Sequence, residues 1–150
     1  MKIHKTINPV AVQNTYYLES DTHLIVVDPG SDWNKIHDKI EQIGKPITAI
    51  LLTHTHYDHI MSLDILRETY HFPPVYVAES EASWLYTPEM NLSGLPRHDD
   101  MENLICKPAE QIFQFEKEYK FEGFHFIVVP TPGHSIGGVS FIFPEEECVI

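Results

Sequence analysis

Apolar and polar positions alternate along the chain in a pattern typical of a mixed α/β fold. Strand-like segments at Gln13–Glu19 and His23–Val27 enclose a polar turn, which predicts an antiparallel hairpin. Apolar residues then recur at helical spacing from Trp33 to Ile43, and Asp32 can cap that helix. The apolar run Ile47–Leu52 is too short for a typical helix and predicts a strand that is buried on both faces.

The second half of the sequence continues the alternation of helices and strands. Helices are predicted over Met61–Tyr70 and Glu79–Leu85, and strands over Val75–Ala78, Phe124–Val129, Gly138–Phe143 and Cys148–Ile150. The segment Tyr86–Asn103 contains two prolines and one glycine and is interpreted as a long loop. Loops of that length are often lids or binding loops. A cover over a functional site and a surface loop without a chemical role are the two alternatives.

Length and composition favour a single domain over residues 1–150 with its own core, because 43% of the residues are apolar. The 22 acidic residues outnumber the 10 lysines and arginines, giving a formal net charge of −12. That charge argues against general binding to nucleic acids or anionic membranes, since both need a positive field. No apolar run is long enough to predict a membrane-spanning helix.

The N-terminal residues 1–6 are not followed by the apolar stretch of a secretory signal, and we therefore expect a cytoplasmic protein. In that compartment the two cysteines, Cys106 and Cys148, are expected to be reduced. Neither has a histidine beside it in the sequence, so both are interpreted as structural rather than nucleophilic.

Candidate chemistry is concentrated directly after the buried strand, where the sequence reads His-Thr-His-Tyr-Asp-His. Alternation at the end of the strand places His54 and His56 on one side, and Asp58 and His59 follow where the chain turns towards the next helix. Imidazole and carboxylate ligands suit zinc, and also iron or manganese. The sequence therefore predicts a metal site at this strand end, with a polar histidine-rich loop as the alternative.

A second candidate segment, Thr131–Ser135, follows another predicted strand and has the composition of a tight turn. We expect Gly133 to permit a close approach of the backbone and His134 to be presented at the strand end. Taken alone, His134 could be an ordinary loop histidine. Beside the first motif it is the candidate third ligand of a metal held by His54 and His56.

These motifs resemble the metallo-β-lactamase-fold hydrolases, and the similarity extends over nearly the whole chain in the same order. The small glyoxalase II-like enzymes (hydroxyacylglutathione hydrolases) share the pattern Thr-His-x-His-x-Asp-His. The matching positions are His54, His56, Asp58, His59 and His134, supported by Asp28-Pro29-Gly30 and Asn14-Thr15-Tyr16.

The resemblance implies a four-layer αββα sandwich with metals at one edge, between its two sheets. It implies that His54, His56 and His134 hold one metal and that Asp58 and His59 help to hold a second. The family pattern continues beyond the strand near Val149 with an aspartate that bridges the metals and a last histidine. Neither position falls within the 150 residues, so we expect a domain whose second half is incomplete.

The resemblance also implies a reaction, the hydrolysis of a small-molecule thioester such as an S-2-hydroxyacylglutathione by a metal-bound hydroxide. A cation such as Zn²⁺ produces hydroxide at neutral pH by lowering the pKa of bound water. Asp58 would be the catalytic residue that orients the nucleophile or takes a proton from it. Two alternatives stay open: another hydrolase on the same fold, such as a lactonase, β-lactamase or nuclease, and a degenerate metal-binding chain without activity. The negative charge disfavours the nuclease.

Overall fold

A computed structural model describes residues 1–150, which form ten strands and three α-helices. The strands are β1 (Lys2–Ile7), β2 (Asn14–Glu19), β3 (Leu24–Val27), β4 (Ile47–Leu51), β5 (Val75–Val77), β6 (Gln111–Ile112), β7 (Glu118–Phe121), β8 (Phe124–Pro130), β9 (Val139–Phe143) and β10 (Cys148–Val149). The helices are α1 (Trp33–Ile43), α2 (Leu63–Thr69) and α3 (Pro88–Asn91). None of these helices combines the length and apolar character needed to cross a membrane.

The strands form two sheets. The first contains six strands in the order β1-β2-β3-β4-β5-β6, antiparallel from β1 to β3 and parallel from β3 onward. The second contains four antiparallel strands in the order β10-β9-β8-β7. In the first sheet α1 connects β3 to β4 and α2 connects β4 to β5, as parallel neighbours require.

Alternation along the first sheet separates two apolar cores of 14 buried residues each. In β3, Leu24 and Val26 contribute to the core beneath the helices, whereas Ile25 and Val27 contribute to the core between the sheets. All four side chains have 0% exposure, which explains why this strand is apolar without interruption.

The expected two-sheet sandwich is confirmed. The core outside the first sheet includes residues of α1 and α2, and the core between the sheets is built from strands of both sheets. Neither core contains a helix packed on the outer face of the second sheet. Three of the four implied layers are therefore present in these residues.

Predicted helix boundaries are partly confirmed. Asp32 caps α1 by accepting a hydrogen bond from the Lys35 backbone, and Gly44 ends the helix in a left-handed conformation. The second helix begins at Leu63 rather than Met61, and a 3-10 turn at Tyr57–His59 precedes it.

The interpretation of Tyr86–Asn103 as an unbroken loop is wrong, because it contains α3 and a 3-10 turn at Pro96–His98. Its fully buried Asn91 donates hydrogen bonds to the carbonyl oxygens of Trp84 and Leu104 and accepts two from Ser93, one from the backbone N–H and one from the hydroxyl. A proline at the first position of each short helix is favourable because it lacks only an N–H that would have no helical partner.

Candidate metal centre

The histidine motif lies where β4 leaves the first sheet and meets the second. His54 and His56 flank the fully buried Thr55, and Tyr57–His59 turns the chain away towards α2. The Val139 N–H, at the start of β9, donates to the Thr53 carbonyl at 2.9 Å and so joins the two sheets at this point. The loop between β8 and β9 thereby brings His134 to the motif.

Three imidazole rings converge at this edge. The ring centroids of His54, His56 and His134 lie 4.7 to 5.0 Å apart, and each pair of rings is nearly perpendicular. Each ring offers a nitrogen, and these three nitrogens lie within 4.8 Å of one another. The structure thus brings together the three residues predicted for one metal, although they are as many as 80 positions apart in the sequence.

The hydrogen bonds of these rings leave ligand atoms without other partners. The Nδ1 atom of His54 lies 3.1 Å from the Thr53 hydroxyl, whereas its Nε2 atom is buried and has no hydrogen-bond partner. His56 Nδ1 and His134 Nε2 lie 3.1 Å apart. A buried imidazole nitrogen that has neither solvent nor a partner is unfavourable unless something binds it. Together with the all-imidazole donor set, it fits a zinc-type cation.

A second group joins His54 and His59 to Asp28, whose ligand atoms also lie within 4.8 Å of one another. Asp28 is buried after β3, where it accepts hydrogen bonds from the backbone and hydroxyl of Thr53 and from His59 Nδ1 at 2.7 Å. Asp28 supported the family resemblance as part of Asp28-Pro29-Gly30, but it was not among the predicted site residues. The feature that could have identified Asp28 is its position. It is a polar residue at the end of β3, and β3 lies directly beside β4, which leads into the motif.

The histidines of the two groups differ in their pKa values. Burial lowers the pKa of His54 to about 4, and the charge of His59 adds to this effect. Burial also acts to lower the pKa of His59, but the Asp28 charge and hydrogen bonds from Asp28 and Asp58 outweigh it and raise that pKa to about 10. At neutral pH the metal-free chain therefore presents a neutral His54 and a protonated His59, which must release its proton to ligate a metal.

Asp58, the predicted catalytic residue, belongs to neither group of converging ligand atoms. Its Oδ2 lies 3.3 Å from His59 Nε2. Burial acts to raise the pKa of Asp58, but the hydrogen bond and charge of His59 outweigh it and lower that pKa. Asp58 is thus an ionised carboxylate beside the metal candidates, and its assignment as a ligand stays a prediction.

Two glycines near the centre differ from the sequence expectation. Open space surrounds Gly133, so the predicted close approach of the backbone there is wrong. A close approach occurs instead at Gly30, where an added Cβ would lie 2.6 Å from the Asp58 carbonyl oxygen and 1.9 Å from Gln13 Oε1. Gly30 therefore allows the turn after β3 to lie directly against the motif.

Space for a substrate exists on two sides of the histidines. A cavity of about 190 Å³ is lined in part by His54 and His134, and one of about 440 Å³ by Asp28 and His59. Outside the rings, Trp84 stacks parallel to His56 with centroids 6.2 Å apart. The segment that was predicted as a loop reaches the motif through His98, whose ring lies 4.5 Å from that of Tyr57.

A two-sheet sandwich with three histidines at the junction of its sheets defines the class of protein. The sequence pattern of the metallo-beta-lactamase superfamily matches residues 8–150, and the chain belongs to this superfamily. The match covers the motif, the His134 loop and the turn at Asp28.

Individual relatives support this assignment. The chain is 57% identical over 150 residues to a probable metallo-hydrolase of Streptococcus pyogenes serotype M6, covering 100% of this chain and 65% of the relative. It is 26% identical over 131 residues to the hydroxyacylglutathione hydrolase GloC of Haemophilus influenzae, covering 86% of this chain and 59% of GloC. The chain thus spans less than two thirds of the length of these relatives.

Among solved structures, the fold is similar to the crystal structure of the BLEG-1 B3 metallo-beta-lactamase. The TM-score is 0.89 at 32% sequence identity, and the alignment covers 99% of this chain and 70% of that one. The similarity includes both sheets, so it extends the family assignment from the sequence to the three-dimensional arrangement.

Proposed function

We propose that this chain is the metal-binding part of a hydrolase that cleaves a small-molecule thioester of the S-2-hydroxyacylglutathione type. The observation that carries the proposal is the convergence of three imidazoles around the buried, unpartnered Nε2 of His54. The likeness to GloC supports the thioester as substrate, and the motif Thr-His-x-His-x-Asp-His supports the same enzyme type.

In this proposal His54, His56 and His134 hold a divalent cation, with zinc preferred and iron or manganese as alternatives. The cation supplies a Lewis acid that polarises a carbonyl and lowers the pKa of water. His59 contributes only after losing the proton that Asp28 and Asp58 stabilise. Asp58 is ionised and half-buried, so its Oδ2 can accept a hydrogen bond from the attacking water and orient it.

The test combines metal content with turnover. The purified chain is loaded with Zn²⁺, desalted and analysed for metal, and it is then assayed with an S-2-hydroxyacylglutathione. His54→Ala is expected to lose metal and turnover together. His37→Ala, on helix α1 far from the motif in sequence, is the matched control and is expected to keep both. Turnover by His54→Ala at the wild-type rate would overturn the proposal.

A β-lactam is the second candidate substrate, and the likeness to the BLEG-1 lactamase favours it. A chromogenic cephalosporin assayed beside the thioester separates the two. Cleavage of the β-lactam alone would replace the thioester hydrolase by a lactamase. Stable metal binding with turnover of neither substrate would contradict both and favour a metal-binding chain without activity.

A further inference from the structure

A buried carboxylate connects the two segments that carry the three histidines. Glu81 lies at the start of the 3-10 helix Glu79–Tyr86 and has 0% exposure. It belongs to none of the groups of converging ligand atoms, so it is not itself a candidate ligand. No motif in the sequence includes Glu81.

One oxygen of Glu81 holds the strand-end motif. Oε1 accepts hydrogen bonds from the backbone N–H and the hydroxyl of Thr55, both at 2.9 Å. Thr55 is the residue between His54 and His56. Its backbone amide is therefore fixed at the point from which both ligand side chains emerge.

The other oxygen holds the His134 loop. Oε2 accepts a hydrogen bond from the Ser135 hydroxyl and another from the Gly137 N–H at 2.5 Å. The fit is tight, because a Cβ added at Gly137 would lie 2.7 Å from Oε2. A single side chain thus spans the gap between the motif and the residue that follows His134.

The hydrogen bonds of Glu81 come without a basic partner. Glu81 takes part in none of the ion pairs of the chain. Both of its oxygens accept from backbone N–H groups, which can only donate, so each oxygen must offer a lone pair to its segment. A buried polar side chain of this kind is costly unless hydrogen bonds satisfy it.

We propose that Glu81 is the positioning residue of the metal centre. It fixes Thr55 against Ser135 and Gly137 so that His54, His56 and His134 converge. The inference rests on the proposed function as far as the cation is concerned. The positioning itself rests on the hydrogen bonds of Glu81.

The decisive variant is Glu81→Gln, which keeps the size of the side chain. The NH₂ group of the glutamine must face the backbone N–H of either Thr55 or Gly137. That N–H then loses its acceptor and faces another donor. Glu79→Gln is the matched control, because Glu79 is exposed and lies on the same 3-10 helix. Circular dichroism of each variant verifies the fold.

Two measurements separate positioning from mere stability. Co²⁺ titration, followed by its visible absorption, reports affinity and ligand geometry per folded chain. Glu81→Gln is expected to weaken Co²⁺ binding by about tenfold or more and to change the spectrum, as for other residues that orient ligands. In the metal-free chain, the nuclear Overhauser effect between the His56 and His134 rings is expected to weaken. The control is expected to match the wild type in both measurements.

The outcomes are distinct. Wild-type affinity, spectrum and ring contact in a folded Glu81→Gln variant would overturn the inference, even if its melting temperature fell. If Glu81→Gln does not fold, Ser135→Ala removes only one of the four hydrogen bonds, and an unchanged Co²⁺ affinity would then overturn it. If the wild type binds no Co²⁺, the proposed function fails, while the contact between the His56 and His134 rings still decides the positioning.

Discussion

Two buried polar regions of the chain, one around Arg67 on α2 and one at the three histidines, differ in what completes them. Arg67, 1% exposed on α2, donates to the carbonyl oxygens of Lys107 and Pro108 and forms ion pairs with Asp64 and Glu110. Its charge is balanced within the chain. The three histidines of the metal centre instead face one another, and no acidic residue joins their group.

The difference separates a structural cluster from a binding site. A buried cation whose charge is balanced by carboxylates and carbonyl oxygens contributes mainly to stability, although the Nε atom of Arg67 itself has no hydrogen-bond partner. An imidazole cluster with a buried nitrogen left unpaired, such as His54 Nε2, is complete only with a ligand. Changes in the first region should therefore affect folding, and changes in the second should affect cation binding.

The largest expected effect is that of Arg67→Met. Methionine fills part of the space but leaves the carbonyl oxygens of Lys107 and Pro108 without their donor. We expect a loss of about 3 kcal/mol in the free energy of unfolding. Urea denaturation of the metal-free chain measures this loss, with the exposed Arg97→Met as control. Weaker Co²⁺ binding per folded chain in Arg67→Met would contradict the proposed separation of the two regions.

The next effect concerns the residue that orients His59. Asp28 has a φ of 54°, a left-handed conformation that asparagine also tolerates, so Asp28→Asn removes the charge without straining the backbone. We expect Co²⁺ affinity to fall by about 10- to 100-fold with a smaller change in stability. Asp32→Asn is the matched control, since Asp32 has a φ of 66° and either residue can cap α1. If Asp28→Asn and Asp32→Asn bound Co²⁺ with equal affinity, Asp28 would have no role in the metal centre.

The sequence predicted the features that depend on local pattern. The spacing of apolar residues predicted α1 and β4, and alternation at the end of β4 placed His54 and His56 on one side. Both features depend only on residues that are close together in the sequence. The motif also predicted His134 as their partner, which the ring distances support without testing metal binding.

The supporting residues could not be predicted in the same way. Glu81 reaches Thr55 across 26 positions and Ser135 across 54, and three of the acceptors of Arg67 lie 40 to 43 positions away. Such contacts form only when the sheets have packed, so no periodic pattern of apolar residues in the sequence predicts them. In sequence alone, Glu81 is an ordinary acidic residue in the first turn of a short helix.

The smallest effect tests a third polar cluster, which is balanced like Arg67 but partly exposed. Glu19 on β2 pairs with Lys45 at 2.6 Å and with His4 at 2.8 Å. The hydrogen bond from Lys45, followed by that from His4, lowers the pKa of Glu19 to about 2. Since solvent screens such pairs, we expect Glu19→Gln to lose less than about 1 kcal/mol of stability at pH 7.

The direction in which stability changes with pH shows whether the ion pairs of Glu19 are stabilising. Because the pKa of Glu19 is lower in the folded chain than its ordinary value of 4.5, the stabilisation is complete above pH 4.5 and is lost as the pH falls towards 2. Urea denaturation of wild type and Glu19→Gln from pH 7 down to pH 2 should therefore give stabilities that converge in acid. The exposed Glu102→Gln should differ little from the wild type throughout. A gap between wild type and Glu19→Gln that persists at pH 2 would mean that the side chain acts by packing, and the cluster would then not belong with Arg67.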